Sequence, residues 1–153
     1  MKKITPFLWF NTQAEEAAQF YVSIFNNSTM LDVRHSGAAE QGAVISASFS
    51  LDDQEFIAFN GGPHFTFTPA ISLFVNCETQ QEIDALWDKL SAGGATSRCG
   101  WLQDKYGLSW QIIPTILGKL LQDPDPVKAQ KAMQAMLRMD KIDIAALNAS
   151  VAN

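Results

Sequence analysis

The chain contains few side chains that could act as a nucleophile, a general base or a metal ligand. Its 153 residues include two histidines, His35 and His64, and two cysteines, Cys77 and Cys99. Because imidazole titrates near neutral pH, His64 is the candidate general base, while His35 is expected to be exposed at a strand end. The cysteines form neither a C-x-x-C pair nor a disulfide framework, so we expect reduced thiols that pack as small apolar residues. None of the four can be assigned a catalytic role from the sequence.

Aromatic residues are far more abundant, with four tryptophans and 10 phenylalanines. Small-molecule sites are typically apolar, aromatic pockets with a few polar groups that orient the ligand. We predict such a site from aromatic, amide and hydroxyl side chains whose strand parity or loop position could bring them to one surface. The predicted ligand-binding residues are Phe7, Trp9, Ser46, Ser48, Asn60, His64, Phe65, Trp101, Tyr106 and Gln111. Trp110 is a further aromatic candidate for the same surface.

A repeated phrase organises the elements that must position these side chains. The segments TQAEEAAQFY (residues 12–21) and TQQEIDALWD (79–88) each begin with Thr and carry Glu three residues later. This is the spacing of a capping box, in which Thr and Glu bond to free N–H groups at a helix start. Apolar residues then recur at helical spacing, so each phrase predicts a helix, and Gly93 and Gly94 are expected to end the second.

Strand-like segments surround each predicted helix in the same order. ITPFLWF and AISLFV precede the two helices, MLDVRH, AVISASFSL and EFIAFN follow the first, and ATSRCGWLQ and LSWQIIP follow the second. LDDQ is expected to be a turn, and SGAAEQG a loop. The pattern predicts an α+β fold of two tandem strand-helix-three-strand modules.

The predicted organisation is one domain, 1–153, with four parts. Module one covers residues 1–62, a linker 63–69, module two 70–114, and a C-terminal helical appendix 115–153. In the appendix, Pro126 suits the first turn of a helix and Asp143 could cap a last short helix. Because the appendix has no repeated counterpart, we expect it to cover a sheet edge or a partner.

The segment CGWLQDKYGLSWQ predicts a hairpin whose turn is Asp104 to Gly107. Asp at the start and Gly at the end suit a type I turn, because aspartate bonds to local backbone and glycine tolerates the exit conformation. The turn would set the register so that Trp101 lies near Gln111.

Composition excludes several classes of partner. With Lys+Arg 11 against Asp+Glu 16, the formal net charge of −5 repels nucleic acid, and no basic run offsets it. No apolar stretch approaches the roughly 20 residues that cross a bilayer, so no membrane partner is expected. The N-terminus reaches Asn11 and two glutamates before a signal-peptide core is complete, so we expect a cytoplasmic protein.

The long segments PFLWFNTQAEEAAQFYVSIF, FNGGPHFTFTPAISLFVNCETQQEIDALWDKL and CGWLQDKYGLSWQIIP, with the tail MQAMLRMDKIDIAAL, resemble the PhnB-like branch of the vicinal oxygen chelate superfamily. That superfamily includes glyoxalases, bleomycin-resistance proteins and extradiol dioxygenases, and many members of the branch carry the label 3-demethylubiquinone-9 3-methyltransferase. The resemblance implies a cup-shaped mixed sheet built by the two modules, a ligand in the cup, and a homodimer.

The resemblance also gives a test for metal. Metalloenzymes of the superfamily typically hold one divalent ion in the cup with His and Glu side chains from both modules. At the matching strand ends this chain has Asn60 and Gln111, and amides bind such ions weakly. We therefore expect neither a metal nor a cofactor.

Three functions remain open at this stage. The first is a small-molecule-binding protein with an aromatic-lined cup and no bound metal. The second is a metal-dependent enzyme of the glyoxalase or dioxygenase type. The third is a methyltransferase acting on 3-demethylubiquinone, although neither Gly61-Gly62 nor Gly93-Gly94 is expected to precede a helix, as a cofactor-binding glycine turn usually does.

Overall fold

The structure, a computed structural model, describes residues 2–37 and 42–152. Most of the predicted loop SGAAEQG, residues 38–41, lies outside the described residues. The chain divides into two compact units, Met1–Phe67 (unit 1) and Thr68–Asn153 (unit 2), which we describe separately. No helix in the described part is long and apolar enough to span a membrane.

Unit 1 contains one helix and a four-stranded mixed sheet. Its elements are β1 (Phe7–Phe10), α1 (Ala14–Ile24), β2 (Ser28–His35), β3 (Val44–Leu51) and β4 (Gln54–Asn60). The strand order is β1-β4-β3-β2, with β1 parallel to β4 and the other pairs antiparallel. The β3–β4 hairpin turns at Asp52 and Asp53, both with positive φ, which confirms the turn expected at LDDQ.

One face of this sheet is covered by α1. The helix buries Ala14, Ala17, Ala18 and Tyr21, and the Tyr21 ring lies 6.1 Å from that of Phe49 on β3. Because side chains alternate along a strand, Ser46 and Ser48 point to the opposite, open face. The segment AVISASFSL therefore forms a strand, as predicted, with buried and half-buried residues alternating from Ser46 to Leu51.

The start of α1 differs from the prediction. The helix begins at Ala14, and Gln13 holds the cap position without a side-chain hydrogen bond. The N–H of Ala14 donates instead to Oδ1 of Asn60, at 2.8 Å. The predicted Thr12 cap is therefore wrong, because a side chain from β4 satisfies the helix start.

Unit 2 repeats the arrangement with a shorter outer edge. Its sheet elements are β5 (Ser72–Cys77), α2 (Gln80–Ser91), β6 (Ala95–Thr96), β7 (Trp101–Gln103) and β8 (Ser109–Pro114). The order is β5-β8-β7-β6, and β5 is parallel to β8. The segment ATSRCGWLQ, which with LSWQIIP was predicted to supply at least two strands, forms two short strands separated by a loop at residues 97–100.

The start of α2 follows the prediction in part. Oγ1 of Thr79 accepts a hydrogen bond from the N–H of Glu82 at 3.2 Å, as a capping box requires. The Glu82 carboxylate accepts from the N–H of Glu78 rather than from that of Thr79. The helix ends before Gly93, whose φ of +76° confirms the predicted left-handed stop.

The appendix forms three helices that pack within unit 2. They are α3 (Thr115–Leu121), α4 (Pro126–Leu137) and α5 (Ile144–Val151), and α3 was not predicted. Pro126 occupies the first turn of α4, and Asp143 accepts from the N–H of Ala146, so both predicted helix starts are confirmed. Leu117, Ile142 and Leu147 pack on Ile113 of β8.

Together the two modules and the C-terminal helices confirm the predicted α+β class. Each module follows the order strand, helix, three strands, and each sheet has four strands of mixed direction. In each sheet the strand before the helix pairs in parallel with the last strand of the module. This repeated register decides which side chains reach the two open faces.

Candidate functional site

Trp9 is the centre of an aromatic cluster on the open face of unit 1. Its ring lies 5.3 Å from that of Phe59 and 5.0 Å from that of Phe65, both in edge-to-face contact. Its Nε1 donates to the carbonyl oxygen of Gly62 at 3.0 Å. A Cβ at Gly61 would collide with the indole, so glycine allows the ring to lie against the backbone. The indole is therefore fixed in position, and only its apolar surface remains available to a ligand.

Other predicted residues surround this cluster on the same face. Phe7 is 57% exposed, and its ring lies 5.2 Å from that of Phe59. Ser46 is the cross-strand partner of Phe59, which places its hydroxyl beside the aromatic rings. Phe65 is 65% exposed. Four predicted residues, Phe7, Trp9, Ser46 and Phe65, therefore share one surface, and Phe59 is a member that sequence reasoning missed.

Ser48 lies further along the open face in a more polar setting. It lines a cavity of about 200 Å³ together with Asp32, Arg34 and Glu55. Nε of Arg34 donates to the Asp32 carboxylate at 3.2 Å, so this cation is already paired.

Asn60 does not share the open face with Ser46 and Ser48. Its Oδ1 accepts from the N–H of Ala14, and its Nδ2 donates to the carbonyl oxygen of Val44 at 3.1 Å. Both ends of the amide thus hold α1 and β3 to the end of β4. The physical reason is strand parity. Successive side chains on β4 point to opposite faces, so Asn60 shares the helix-facing side with Ala58, while Phe59 points to the open face.

The two histidines lie apart from each other in unit 1. His35 ends β2 and is half-buried, whereas the sequence predicted an exposed side chain. His64 is exposed in the segment that follows β4. Within residues 2–37 and 42–152, the His64 side chain makes no hydrogen bond or ion pair that would orient it as a base, so its role stays a prediction.

On the open face of unit 2, Trp101 and Gln111 are direct cross-strand partners, as predicted from the hairpin. The Gln111 amide Nε2 donates to Oγ of Ser72 on β5 at 3.0 Å. Gly107 N–H donates to the carbonyl oxygen of Asp104 at 2.9 Å, which confirms the turn from Asp104 to Gly107. The turn therefore sets the register that the sequence predicted.

Trp110 lies on the opposite side of the same hairpin, where it bonds to Asp104. Asp104 is 2% exposed and its carboxylate accepts from Nε1 of Trp110 at 2.9 Å, and from the N–H groups of Tyr106 and Leu108. Trp110 is 2% exposed and lies on the face opposite Trp101, so it does not share the open face of the sheet with Trp101 and Gln111. Tyr106 is half-buried in the turn, where Nζ of Lys105 lies 5.5 Å from its ring centroid.

A cavity of about 500 Å³ lies beside β6 and β7. Its lining includes Thr96, Ser97, Arg98, Trp101, Gln103 and Ser109. Of these, sequence reasoning singled out Trp101 alone. Ser109 could have been found because it precedes Gln111 by two residues on one strand, and strand parity places both on one face. Nothing in the sequence singles out Arg98, because its loop was predicted as part of a strand.

The cysteines are reduced thiols, one buried and one half-buried. Burial, together with the neighbouring carboxylates of Glu82 and Glu78, raises the pKa of the Cys77 thiol to about 12. A protonated thiol is a poor nucleophile and a poor metal ligand, so Cys77 packs as an apolar residue at neutral pH.

The donor groups do not fit the His and Glu metal set of the superfamily. Within residues 2–37 and 42–152, no three His, Cys, Asp or Glu side chains lie close enough to share an ion. At the two positions where the resemblance predicts carboxylates, the amide of Asn60 bonds to Ala14 and Val44, and that of Gln111, within β8, bonds to Ser72. We therefore derive no chemistry through a metal.

Comparison with solved structures supports the fold and the family. The PhnB protein from Bacillus cereus, described as a 3-demethylubiquinone-9 3-methyltransferase, is 42% identical to this chain, and the match covers 74% of this chain and 100% of that one with a TM-score of 0.68. A protein from Pseudomonas aeruginosa is 18% identical over 74% of this chain and 98% of that one, with a TM-score of 0.62. A glyoxylase/bleomycin resistance protein/dioxygenase domain from a Frankia species is 15% identical over 74% and 92%, with a TM-score of 0.50. The last two show similarity of fold alone.

No curated protein sequence matches the chain. The sequence pattern of one family, described as 3-demethylubiquinone-9 3-methyltransferase, matches residues 2–113, which include both modules and exclude the helical appendix. With this match and the similarity to the Bacillus cereus protein, the chain belongs to the PhnB-like 3-demethylubiquinone-9 3-methyltransferase family, whose fold is that of the vicinal oxygen chelate proteins.

Proposed function

We propose that this chain is a small-molecule-binding protein that uses the open, aromatic faces of its sheets and needs no resident metal ion. The observation that carries the proposal is the fixed indole of Trp9. Its N–H is already bonded to Gly62, and its edges contact Phe59 and Phe65. An aromatic surface held in place before a ligand arrives loses little entropy on binding.

The exposure of the neighbouring rings supports the same proposal. Phe7 and Phe65 both remain more than half exposed beside Trp9. Contiguous exposed apolar surface of this kind typically marks a ligand or interaction site on a folded domain. The hydroxyl of Ser46 lies beside the rings and adds a group that can both donate and accept a hydrogen bond.

The family description favours one alternative, a methyltransferase acting on 3-demethylubiquinone. In this chain, Gly61-Gly62 follows β4 and leads to β5, and Gly93-Gly94 follows α2 and leads to β6. Neither pair opens a helix, where a nucleotide-like cofactor would meet backbone N–H groups. Calorimetry with S-adenosylmethionine tests this alternative, and a complex at micromolar concentration would favour it over the binding proposal.

The main test is an unbiased ligand search. The purified chain is incubated with a filtered small-molecule extract of cells and examined by native mass spectrometry for retained adducts. Trp9→Ala should reduce retention about tenfold, because it removes the fixed ring. Phe20→Ala is the matched control, since Phe20 lies on α1 and its loss leaves the open face intact. Equal retention by wild type and Trp9→Ala, or no adduct with wild type, would contradict the proposal.

The homodimer implied by the resemblance stays a prediction. Its molar mass in solution, measured by light scattering on a size-exclusion column, should be twice that of the 16.8 kDa chain. A mass equal to one chain over a range of concentrations would show that the prediction is wrong.

A further inference from the structure

The cavity beside β6 and β7 in unit 2 has the size of a small-molecule site. Its volume is about 500 Å³, within the roughly 300–1,000 Å³ range of ligand pockets. Arg98 is the one charged residue in its lining, and the polar groups around it include Gln103 and Ser109. The cavity therefore joins one cation to neutral hydrogen-bonding groups.

Ser109 carries a hydroxyl group that lacks a hydrogen-bond partner. The residue is 1% exposed, and within the described part of the chain its Oγ makes no hydrogen bond. A buried polar group without a partner destabilises the folded state, and such groups are rare in native proteins. Ser109 is the cross-strand partner of Gln103, and both line the cavity, so a ligand oxygen there could complete the missing bond.

Arg98 is exposed, and its guanidinium makes no ion pair with any described residue. The loop that carries it is nevertheless fixed. The N–H of Cys99 donates to Met139 and that of Gly100 to Asp140, at 2.8 and 2.7 Å. Cys99 also has a φ of +59°, which an L residue rarely adopts. The loop thus presents an unpaired cation on a constrained backbone.

Trp101 provides the apolar part of the cavity. It is half-buried, lines the cavity, and lies opposite Gln111, whose amide is already bonded to Ser72. A flat ring can pack against an indole with little loss of conformational freedom. The three features together describe a ligand with a ring at one end and an anion at the other.

We infer that this cavity binds a ring-bearing organic carboxylate, with its carboxylate paired to Arg98, its ring against Trp101 and one oxygen bonded to Ser109. A guanidinium matches a carboxylate through two parallel hydrogen bonds. A single cation in a chain of net charge −5 balances a monoanion better than a dianion. The inference rests on the proposal that the open faces bind small molecules, and it adds the chemical class of the ligand.

The test compares three probes that carry the same phenyl ring with different head groups: benzoate, benzamide and phenylphosphonate. Binding to the full chain is followed by the NMR shift of the Trp101 indole N–H, assigned with Trp101→Phe. We expect benzoate to bind at least about tenfold more tightly than neutral benzamide, and Arg98→Gln to remove that preference. Arg98→Lys should keep part of it. Equal affinity for benzoate and benzamide, or tighter binding of phenylphosphonate, would overturn the inference.

Ser109→Ala separates a ligand-binding role from a structural one. Because the hydroxyl has no partner in the free protein, its removal should leave the urea midpoint unchanged or raise it. The same variant should bind benzoate about fivefold more weakly. A lowered midpoint with unchanged affinity would show that Ser109 serves the fold alone.

The outcomes also separate this inference from the proposed function. Loss of the extract-derived adduct in Trp9→Ala, with benzoate and benzamide binding alike, would support the proposed function and reject the carboxylate site. The reverse pattern would support the carboxylate site and reject the role of the aromatic face of unit 1.

Discussion

Unit 1 and unit 2 repeat one arrangement of strands and helix but start their helices differently. In unit 1 the last residue of β4, Asn60, reaches the N–H of Ala14 at the start of α1. In unit 2 the equivalent last residue of β8 is Pro114, which pairs with Cys77 as Asn60 pairs with Phe10. A proline side chain offers no hydrogen-bonding group, so α2 depends on a cap from its own sequence.

The open faces of the two units also carry different side chains on the same arrangement of strands. Unit 1 presents aromatic rings around Trp9, whose N–H is already bonded. In the described part of unit 2, the Arg98 cation makes no ion pair and the Ser109 hydroxyl makes no hydrogen bond. The repeated backbone therefore does not repeat the chemistry, and function has to be read separately from each face.

The hairpin turns give the largest expected difference. Asp104→Asn should lower the free energy of unfolding by about 3 kcal/mol, because the amide keeps one acceptor oxygen for the N–H groups of Tyr106 and Leu108 but places a buried NH2 donor against the N–H of Trp110. The matched change in unit 1, Asp52→Asn, should alter stability by less than about 0.5 kcal/mol at an exposed turn. Urea unfolding of the full chain measures both. Equal losses would remove the distinction between the turns.

The helix starts give a smaller but more specific difference. Asn60→Ala should lower the free energy of unfolding by about 2 kcal/mol, since two hydrogen bonds are lost, and Thr79→Ala by about 1 kcal/mol. Thr12→Ala should have almost no effect, because Thr12 does not cap α1. The same urea measurements apply. A loss in Thr12→Ala as large as that in Thr79→Ala would mean that both helices use the repeated Thr.

The ends of β1 and β5 differ in a titratable group, Phe10 against Cys77. Because the pKa of Cys77 is raised to about 12, the folded state favours the protonated thiol. The contribution of this thiol to the free energy of unfolding is fully present below the ordinary thiol pKa. As the pH rises above about 9, the contribution declines, and the free energy of unfolding should be about 1 kcal/mol lower at pH 10. Cys77→Ala should remove this component of the alkaline loss. Identical pH profiles for wild type and Cys77→Ala would show that the thiol is not held protonated.

The appendix of unit 2 gives the smallest expected effect. A hydrogen bond from Gln80, together with Lys141 at 3.0 Å, lowers the pKa of the half-buried Asp84 carboxyl. A carboxyl pKa that is lowered in the folded state stabilises the fold at pH values above the ordinary carboxyl pKa. This stabilisation is lost as the pH falls through the pKa of the folded state. Lys141→Met should raise the pKa of Asp84 part of the way back, followed by NMR titration, while Lys119→Met should leave it unchanged. No shift in Lys141→Met would show that the ion pair is absent in solution.

Local patterns predicted much of this fold. The apolar spacing in the two repeated phrases located both helices, and the residues Asp104 and Gly107 located a turn whose hydrogen bond is present. They failed where a distant residue decides the outcome. Thr12 has the same local sequence context as Thr79, yet Asn60 satisfies the α1 helix start, and no local signal connects positions 14 and 60.

The sequence by itself determined the α+β class, the two modules, and the pairing of Trp101 with Gln111, because periodicity and turn chemistry act over a few residues. Tertiary structure alone decided the environment of each polar side chain. Strand pairing directs Asn60 to the helix and Trp110 to Asp104, and it leaves the Ser109 hydroxyl without a partner among the described residues, in a cavity that Arg98 also lines. Those contacts join residues from different strands and loops, so they exist only once the sheets have formed.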